Sequence, residues 1–155
     1  MGSPMNGLPR IVLDTSVLVR GLCRRRSSAS WSVLREVLAC RLDIVLSLSL
    51  FLEYEDVLHR VEIVELLSRH GTPRTDIQSV LVVLADKAHE VQVHFRWRPN
   101  LVDADDNHVL ETALHSHAVL VTCNPADFAP PKTDLLFPKL RVMTPAEFVK
   151  TYLAR

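Results

Sequence analysis

The stretch Ile11-Val12-Leu13-Asp14-Thr15-Ser16 decides the fold, because a run of large aliphatic residues ends there in an acid and two hydroxyl residues. Three consecutive aliphatic residues predict a short strand that is buried on both faces. Similar runs recur along the chain and alternate with longer segments of helical periodicity. Such alternation is typical of parallel sheets with helical crossovers. We therefore predict an α/β protein, a three-layer α/β/α sandwich with a central, mainly parallel sheet.

The remaining elements are predicted from the same local patterns. Further strands are expected at residues 43–47, 91–95, 119–122 and 141–143. Helices are expected at residues 31–38, 49–58, 61–68, 75–84 and 106–114, and again after Thr144. The Thr-x-x-Gln sequence at 75–78 and the Thr-x-x-Glu sequence at 144–147 predict capping boxes at two helix starts. Gly71 is expected to end the helix that precedes it.

Length and composition favour a single globular domain. The chain has 155 residues, of which 48% are hydrophobic and 23% charged, so a core can form without a metal or disulfide staple. Residues 9–155 are expected to form one domain, and residues 1–8 an N-terminal extension or a remnant of cloning. Three cysteines without a CxxC pattern predict free thiols in a reducing cytoplasm. No apolar run approaches the roughly 20 residues that cross a bilayer, so we expect no membrane partner.

The charges are balanced over the whole chain but not along it. The 18 basic and 18 acidic residues give a net charge of zero, which excludes a global attraction to nucleic acid. Residues 1–41 nevertheless contain seven Arg and only two acids, Asp14 and Glu36. Arg binds phosphate with two parallel hydrogen bonds, so this part of the chain is a candidate phosphate-binding surface. Frequent Arg codons in a GC-rich genome would explain the same composition.

Carboxylates are expected to converge at one edge of the predicted sheet. They lie after strands or at helix starts, and they are Asp14, Glu53, Asp103, Asp105, Asp106 and Asp127, with Asn124 beside the last. Ligands of open parallel sheets bind at the carboxyl ends of the strands. Two like charges 4 Å apart repel by about 4 kcal/mol at an effective dielectric near 20, and a divalent cation removes that repulsion. Oxygen ligands favour Mg²⁺ or Mn²⁺, whose chemistry suits phosphodiester hydrolysis.

Each of these acids also has an ordinary structural explanation. Asp14 could be a turn residue, Glu53 could face solvent, and Asp106 could cap a helix. A calcium loop starting at Asp103 is excluded, because its sixth residue is His108 and its twelfth is Leu114. Walker, dinucleotide-binding and serine-elbow motifs are absent from the sequence, so those enzyme classes are not expected.

Four segments of the sequence together resemble one family, the PIN-domain ribonucleases. They share the order and spacing of that family's motifs over residues 10–128, and they are residues 11–19, 47–60, 100–111 and 120–128. The most similar subgroup is that of the toxin components of toxin–antitoxin systems, relatives of the VapC toxins. The resemblance implies an α/β/α sandwich, dependence on Mg²⁺ or Mn²⁺, RNA as the substrate, a small antitoxin as partner, and a possible homodimer.

The resemblance also assigns roles to single residues. Asp14, Glu53 and Asp106 match the acidic positions that hold the metal and act in catalysis. Asn124 stands where many members have Asp, and Asp127 is the nearby carboxylate, so both are candidate metal ligands. Thr15, Ser16 and Thr122 match small hydroxyl residues that support the site, and Asp103 of the acid cluster is a further supporting candidate. If RNA is the substrate, the residues expected to contact its phosphates are Arg20, Arg24, Arg25 and Arg26.

Three other functions also begin from a strand that ends in an acid or from a PIN-like fold, and the sequence favours them less than a metal-dependent ribonuclease. A haloacid-dehalogenase-like phosphatase would need an acid at the position of Ser16. A receiver-like domain would need a Lys late in the sheet, and none follows the strand that ends at Thr122. A non-catalytic PIN-like domain that binds RNA or protein stays open as the alternative.

Overall fold

The computed structural model of the chain describes residues 7–23, 28–92, 106–128 and 140–154, with the backbone alone at Asp106 and Asn107. The strands are β1 (Ile11–Leu13), β2 (Val45–Leu46), β3 (His89–Glu90), β4 (Val119–Val121) and β5 (Val142–Met143). The α-helices are α1 (Thr15–Cys23), α2 (Ala29–Leu38), α3 (Leu48–Leu58), α4 (Val61–Arg69), α5 (Arg74–Lys87), α6 (Asp106–Ser116) and α7 (Pro145–Phe148). A 3₁₀ turn covers Pro125–Phe128, and a π-helical turn, Val149–Leu153, extends α7.

The strands form a parallel sheet in the order β3-β2-β1-β4-β5. Strand β4 pairs with β1 on one side and with β5 on the other, and β2 pairs with β3. A parallel bridge between Ile11 and Ile44 joins the two parts, and the Ile11 amide donates to the Asp43 carbonyl at 3.0 Å. The prediction of a central parallel sheet is confirmed.

Helices cover the sheet to give an α/β sandwich, as predicted. Helix α6 packs against β1, β2 and β4. Helix α1 packs against β1 and α2, and α2 packs against α7. All residues of β1 and β4 are buried, as consecutive aliphatic residues in central strands require. Within the described ranges, every helix is too short or too polar to span a bilayer.

Hydroxyl caps fix where several helices begin. Ser28 accepts a hydrogen bond from the Trp31 amide at 3.0 Å and starts α2. Thr144 accepts from the Glu147 amide at 3.1 Å, which confirms the predicted cap of α7. Gly71 follows the end of α4 with a φ of 86°, a conformation that favours glycine.

Two local predictions were wrong, and one element was not predicted. Helix α5 begins at Arg74 after Pro73, so Thr75 lies inside the helix and is no cap. The N-cap residue is the extended Pro73, two positions before the predicted cap, so Thr75 is already the second residue of the helix. Strand β3 begins at His89, two residues before its predicted start, and residues 93–95 lie outside the described part. Helix α1, directly after Asp14, was not predicted.

Candidate active site

Asp14 lies at the carboxyl end of β1, where it is buried beside β4. Its amide donates to the Val121 carbonyl at 2.9 Å, so the residue continues the strand pairing by one step. One carboxylate oxygen, Oδ2, accepts hydrogen bonds from Thr122 Oγ1 at 2.7 Å and from Ser16 Oγ at 2.9 Å. Two elements that are distant in sequence therefore hold the same carboxylate in one orientation.

The surroundings of Asp14 raise the pKa of its carboxyl group. Burial is the largest cause, because it disfavours the charged form. Hydrogen bonds from Thr122, Ser16 and the Thr15 backbone lower the pKa, and the negative charge of Asp127 raises it again. Desolvation outweighs the hydrogen bonds, so an ionised Asp14 is held at a cost that a nearby cation would offset.

Glu53 reaches the same place from another element. Ser47 follows β2 directly and caps α3, accepting from the Leu50 amide at 3.2 Å. Six residues later Glu53 Oε2 accepts a hydrogen bond from Thr15 Oγ1 at 2.7 Å. Because Thr15 is the neighbour of Asp14 in the chain, the structure brings the two predicted acids together.

Tyr54 links α3, which carries Glu53, to the end of β1, which precedes Asp14. Its side chain is fully buried, and its hydroxyl donates to the carbonyl oxygen of Leu13, the residue before Asp14. Burial and the negative charges of Asp14 and Glu53 raise the pKa of Tyr54 well above its usual range, so the phenol stays a neutral donor. We did not single out Tyr54 from the sequence. The available signal was its place beside Glu53 in an otherwise apolar run.

The segment after β4 determines where the Thr122 proton points. Thr122 Oγ1 accepts a hydrogen bond from the Asn124 amide at 3.0 Å, which leaves its own proton for Asp14. The Asn124 side chain is exposed, whereas Asp127 is half-buried and acts electrostatically on Asp14. Of the two candidate ligands here, Asp127 is therefore the one whose charge acts on the Asp14 carboxylate.

Helix α6 is fastened to the start of α3 by a chain of hydrogen bonds. Thr112 Oγ1 donates to the His108 carbonyl at 2.7 Å, so Ser47 Oγ donates to Thr112 across 2.8 Å while it accepts from the Leu50 amide. This chain positions α6, whose first residue is Asp106, against the helix that carries Glu53. The side chain of Asp106 lies outside the described part of the chain, as do Asp103 and Asp105.

Comparison with known proteins assigns the family. A sequence profile of the PIN domain matches residues 10–126. The chain belongs to the PIN-domain family. Its fold is similar to a chain in the crystal structure of VapBC2 from Rickettsia felis bound to a DNA fragment from their promoter. The TM-score is 0.53, with 16% identity over 87% of this chain and 98% of that chain, a likeness that concerns the fold alone. None of the curated protein sequences matches this chain.

The side chains that meet in this PIN domain suit a hard cation. Asp14 and Glu53, which Thr15 brings together, offer carboxylate oxygens, the ligands that Mg²⁺ and Mn²⁺ prefer, and the charge of Asp127 acts on Asp14. Among the described side chains, no three of the types His, Cys, Asp or Glu stand close enough together to form a complete metal site. The third predicted acid, Asp106, is not among those side chains. Burial raises the pKa of Asp14, and a cation bound beside it would favour its charged form.

The predicted phosphate-binding arginines are described only in part. Arg20 is exposed in the last turn of α1, which begins directly after Asp14. Arg24, Arg25 and Arg26 lie outside the described residues. The three cysteines of the PIN domain are free thiols, as predicted.

Proposed function

We propose that this PIN domain is a divalent-metal-dependent endoribonuclease and the toxin of a toxin–antitoxin pair in the cytoplasm. One observation carries the proposal: two carboxylates from separate elements, Asp14 after β1 and Glu53 on α3, meet through Thr15 at the carboxyl edge of a parallel sheet. A metal-dependent nuclease uses such a convergence, because a metal held by a few carboxylates keeps positions open for water and phosphate.

In the proposed site Asp14, Glu53 and Asp106 hold Mg²⁺ or Mn²⁺, with Asp127 or Asn124 beside them. When bound, the ion would lower the pKa of a coordinated water and offset charge on the scissile phosphate. The chain itself supplies orientation. Thr122 and Ser16 fix one oxygen of Asp14, and Thr15 fixes one oxygen of Glu53. A carboxylate of the site takes the proton of the attacking water as general base, and Asp103 supports the acids.

The substrate that we propose is RNA. The support for it is membership of the PIN family, together with the Arg-rich segment that follows the helix after Asp14. Arg20, Arg24, Arg25 and Arg26 are proposed to bind phosphates on either side of the cleaved bond. A protein antitoxin as partner and a homodimer as assembly are also proposed, because the motifs in residues 10–128 resemble those of toxin components of toxin–antitoxin systems.

The test is a cleavage assay with a fluorescent single-stranded RNA and added Mg²⁺ or Mn²⁺. Asp14→Asn and Glu53→Gln should each reduce cleavage by about 10²-fold or more, since each removes a charged metal ligand. Glu65→Gln is the matched control, because Glu65 is exposed on α4. It should cleave at the rate of the unaltered protein.

Calorimetry with Mn²⁺ alone separates the metal site from the nuclease. Binding that is lost in Asp14→Asn and kept in Glu65→Gln supports the metal site even before an RNA is found. Metal-independent RNA binding without cleavage, unchanged in both acid variants, would instead establish the alternative of a non-catalytic binding module.

A further inference from the structure

A groove with an apolar floor runs between α3 and α5. Its larger part has a volume of about 750 Å³ and a smaller part of about 210 Å³ adjoins it, the two sharing Phe51 and Ala85. The remaining apolar lining residues are Leu46, Leu48, Leu81, Val82 and Ala88. Two antiparallel helical faces thus present a continuous concave strip to the surface.

Large apolar side chains are exposed along this groove. Of the lining residues, Leu48 is 69% exposed and Val82 is 67% exposed. Leu52 lies one turn after Leu48 on α3, outside the lining, and is 51% exposed. Single exposed apolar residues are common on protein surfaces. A contiguous group of them beside a groove instead marks a binding surface.

Acidic residues border the groove. They are Glu55 on α3, Asp86 near the end of α5, and Glu90 in β3. Asp86 pairs with Lys87 at 3.3 Å. In the described part of the chain, neither Glu55 nor Glu90 has a Lys or Arg nitrogen within 4.0 Å. The border therefore carries a net negative charge.

The groove and the candidate active site lie on opposite faces of α3. Phe51 and Glu55, one turn apart, line the groove. Glu53 lies midway between them, about 200° around the helix from each, and contacts Thr15. A molecule in the groove can therefore contact α3 without entering the acid cluster.

We infer that this groove is the docking site for a helix of a partner protein, one whose apolar stripe is flanked by Lys or Arg. The apolar floor matches the stripe, and the acidic border matches the flanking charges. A second copy of this chain fits less well. A twofold dimer places the same patch of each subunit against itself, so acidic border would face acidic border.

The inference deepens the proposed function, because it names a surface for the protein partner of the proposed toxin. It does not depend on nuclease chemistry. The docking experiment measures peptide binding alone. A negative docking result therefore leaves the cleavage and Mn²⁺ results valid, and negative cleavage or Mn²⁺ results leave the docking result valid.

The probe is a fluorescein-labelled peptide of roughly 18 residues, long enough to form a helix, with Leu at i, i+3, i+4 and i+7 and Lys beside them. Fluorescence anisotropy should show saturable binding to the intact chain. Val82→Ser and Glu55→Lys should each weaken binding by about 10-fold or more, since they remove floor and border contacts. The matched controls are Val61→Ser, at a side chain 69% exposed on α4, and Glu65→Lys on the same helix. Both should bind like the unaltered chain.

A peptide of the same composition with its Leu residues scattered should bind at least about 10-fold more weakly. Three results would overturn the inference. They are absence of saturable binding, equal weakening by the α4 controls, and a dimer in sedimentation analysis that Val82→Ser dissociates. The last result would assign the groove to a second copy of this chain.

Discussion

Asp14 is a carboxylate that the fold buries, although its charged form is more stable in water. Burial raises the pKa of its carboxyl group despite hydrogen bonds from two hydroxyls. Asp14→Asn keeps an oxygen acceptor for Thr122 and Ser16 but removes the buried charge. We therefore expect a higher Tm for the variant than for the unaltered protein, both metal-free at pH 7. A gain of about 1 kcal/mol corresponds to about 2–4 °C in a chain of this size.

The pH dependence of that difference follows from the direction of the shift. The pKa of Asp14 is higher in the folded state than in the unfolded state, so the folded state binds the proton more tightly. The stabilisation by this proton is complete below the unfolded pKa of about 3.9 and is lost as pH rises through the folded pKa. The Tm difference should therefore shrink as the pH is lowered toward 4. The exposed Asp86→Asn should leave Tm within about 1 °C at every pH, whereas an Asp14→Asn variant less stable at pH 7 would contradict this explanation.

Tyr54 offers a second test at this scale, with a matched control in the only other tyrosine of the sequence. Tyr54→Phe removes the buried hydroxyl that donates to the Leu13 carbonyl, and should lower the free energy of unfolding by about 1–3 kcal/mol. The affinity for Mn²⁺ should also fall, because α3 then loses its hydrogen bond to the Leu13 carbonyl at the end of β1. In Tyr152→Phe the lost hydroxyl accepts from exposed Arg141, so the change should stay within about 0.5 kcal/mol. Urea unfolding and Mn²⁺ calorimetry would measure both, and equal losses in the two variants would exclude a special role for Tyr54.

At the scale of elements, we expect two serine caps to contribute differently to the free energy of unfolding. The Ser28 side chain accepts from the Trp31 amide at the start of α2, whereas Ser47 caps α3 and also bonds the Thr112 hydroxyl of α6. Ser28→Ala should lower the free energy of unfolding by about 1 kcal/mol. Ser47→Ala should lower it by about 2–3 kcal/mol, since the buried Thr112 hydroxyl also loses the hydrogen bond that Ser47 donates to it. Urea denaturation with unchanged m-values would measure this difference, and equal losses would show that the bond between Ser47 and Thr112 contributes nothing.

The elements that sequence analysis predicted well are those whose signals are local. The strand at β1 follows from three aliphatic residues in a row, and α2 follows from a serine cap before a helical stripe. Helix α1 was missed because Asp14-Thr15-Ser16 looks like a turn, although Val17, Leu18, Gly21 and Leu22 have helical spacing and are buried. The capping box expected at Thr75 failed because Pro73 starts the helix first.

The candidate site was predictable only as a set of acids near strand ends. Asp14 and Glu53 were selected because parallel strands gather such residues at one edge. The sequence did not indicate that Thr15 joins them, or that Asn124 directs the Thr122 proton toward Asp14. These contacts depend on the pairing of β1 with β4, which local patterns do not encode.

At the scale of the whole molecule, the central strands β1 and β4 pair along their full length, whereas β2 and β3 join them through a single bridge. The amides of Asp14 and Val119 bond across the central β1–β4 pair, which is buried. The amides of His89 and Val91 bond to the carbonyls of Ile44, just before β2, and of Leu46 in β2. This strand joins β1 through the isolated bridge between Ile11 and Ile44. We expect the first two amides to exchange hydrogen only on global unfolding and the last two at least about 10-fold faster. Exchange followed by NMR would test this, and uniform protection of all four would show a sheet that opens as one unit.

The hydrogen bond from Thr122 to Asp14 spans 108 positions of the chain. A ribosome adding about 5–20 residues per second therefore delivers the second partner about 5–20 s after the first. During that interval β1 has no β4 beside it, and the aspartate has only its nearby serine as a hydroxyl donor. A translation product cut short before β4 cannot assemble this carboxylate environment. For a protein proposed to cleave RNA, the proposed activity thus arises only after the part of the message that encodes β4 and Thr122 has been translated.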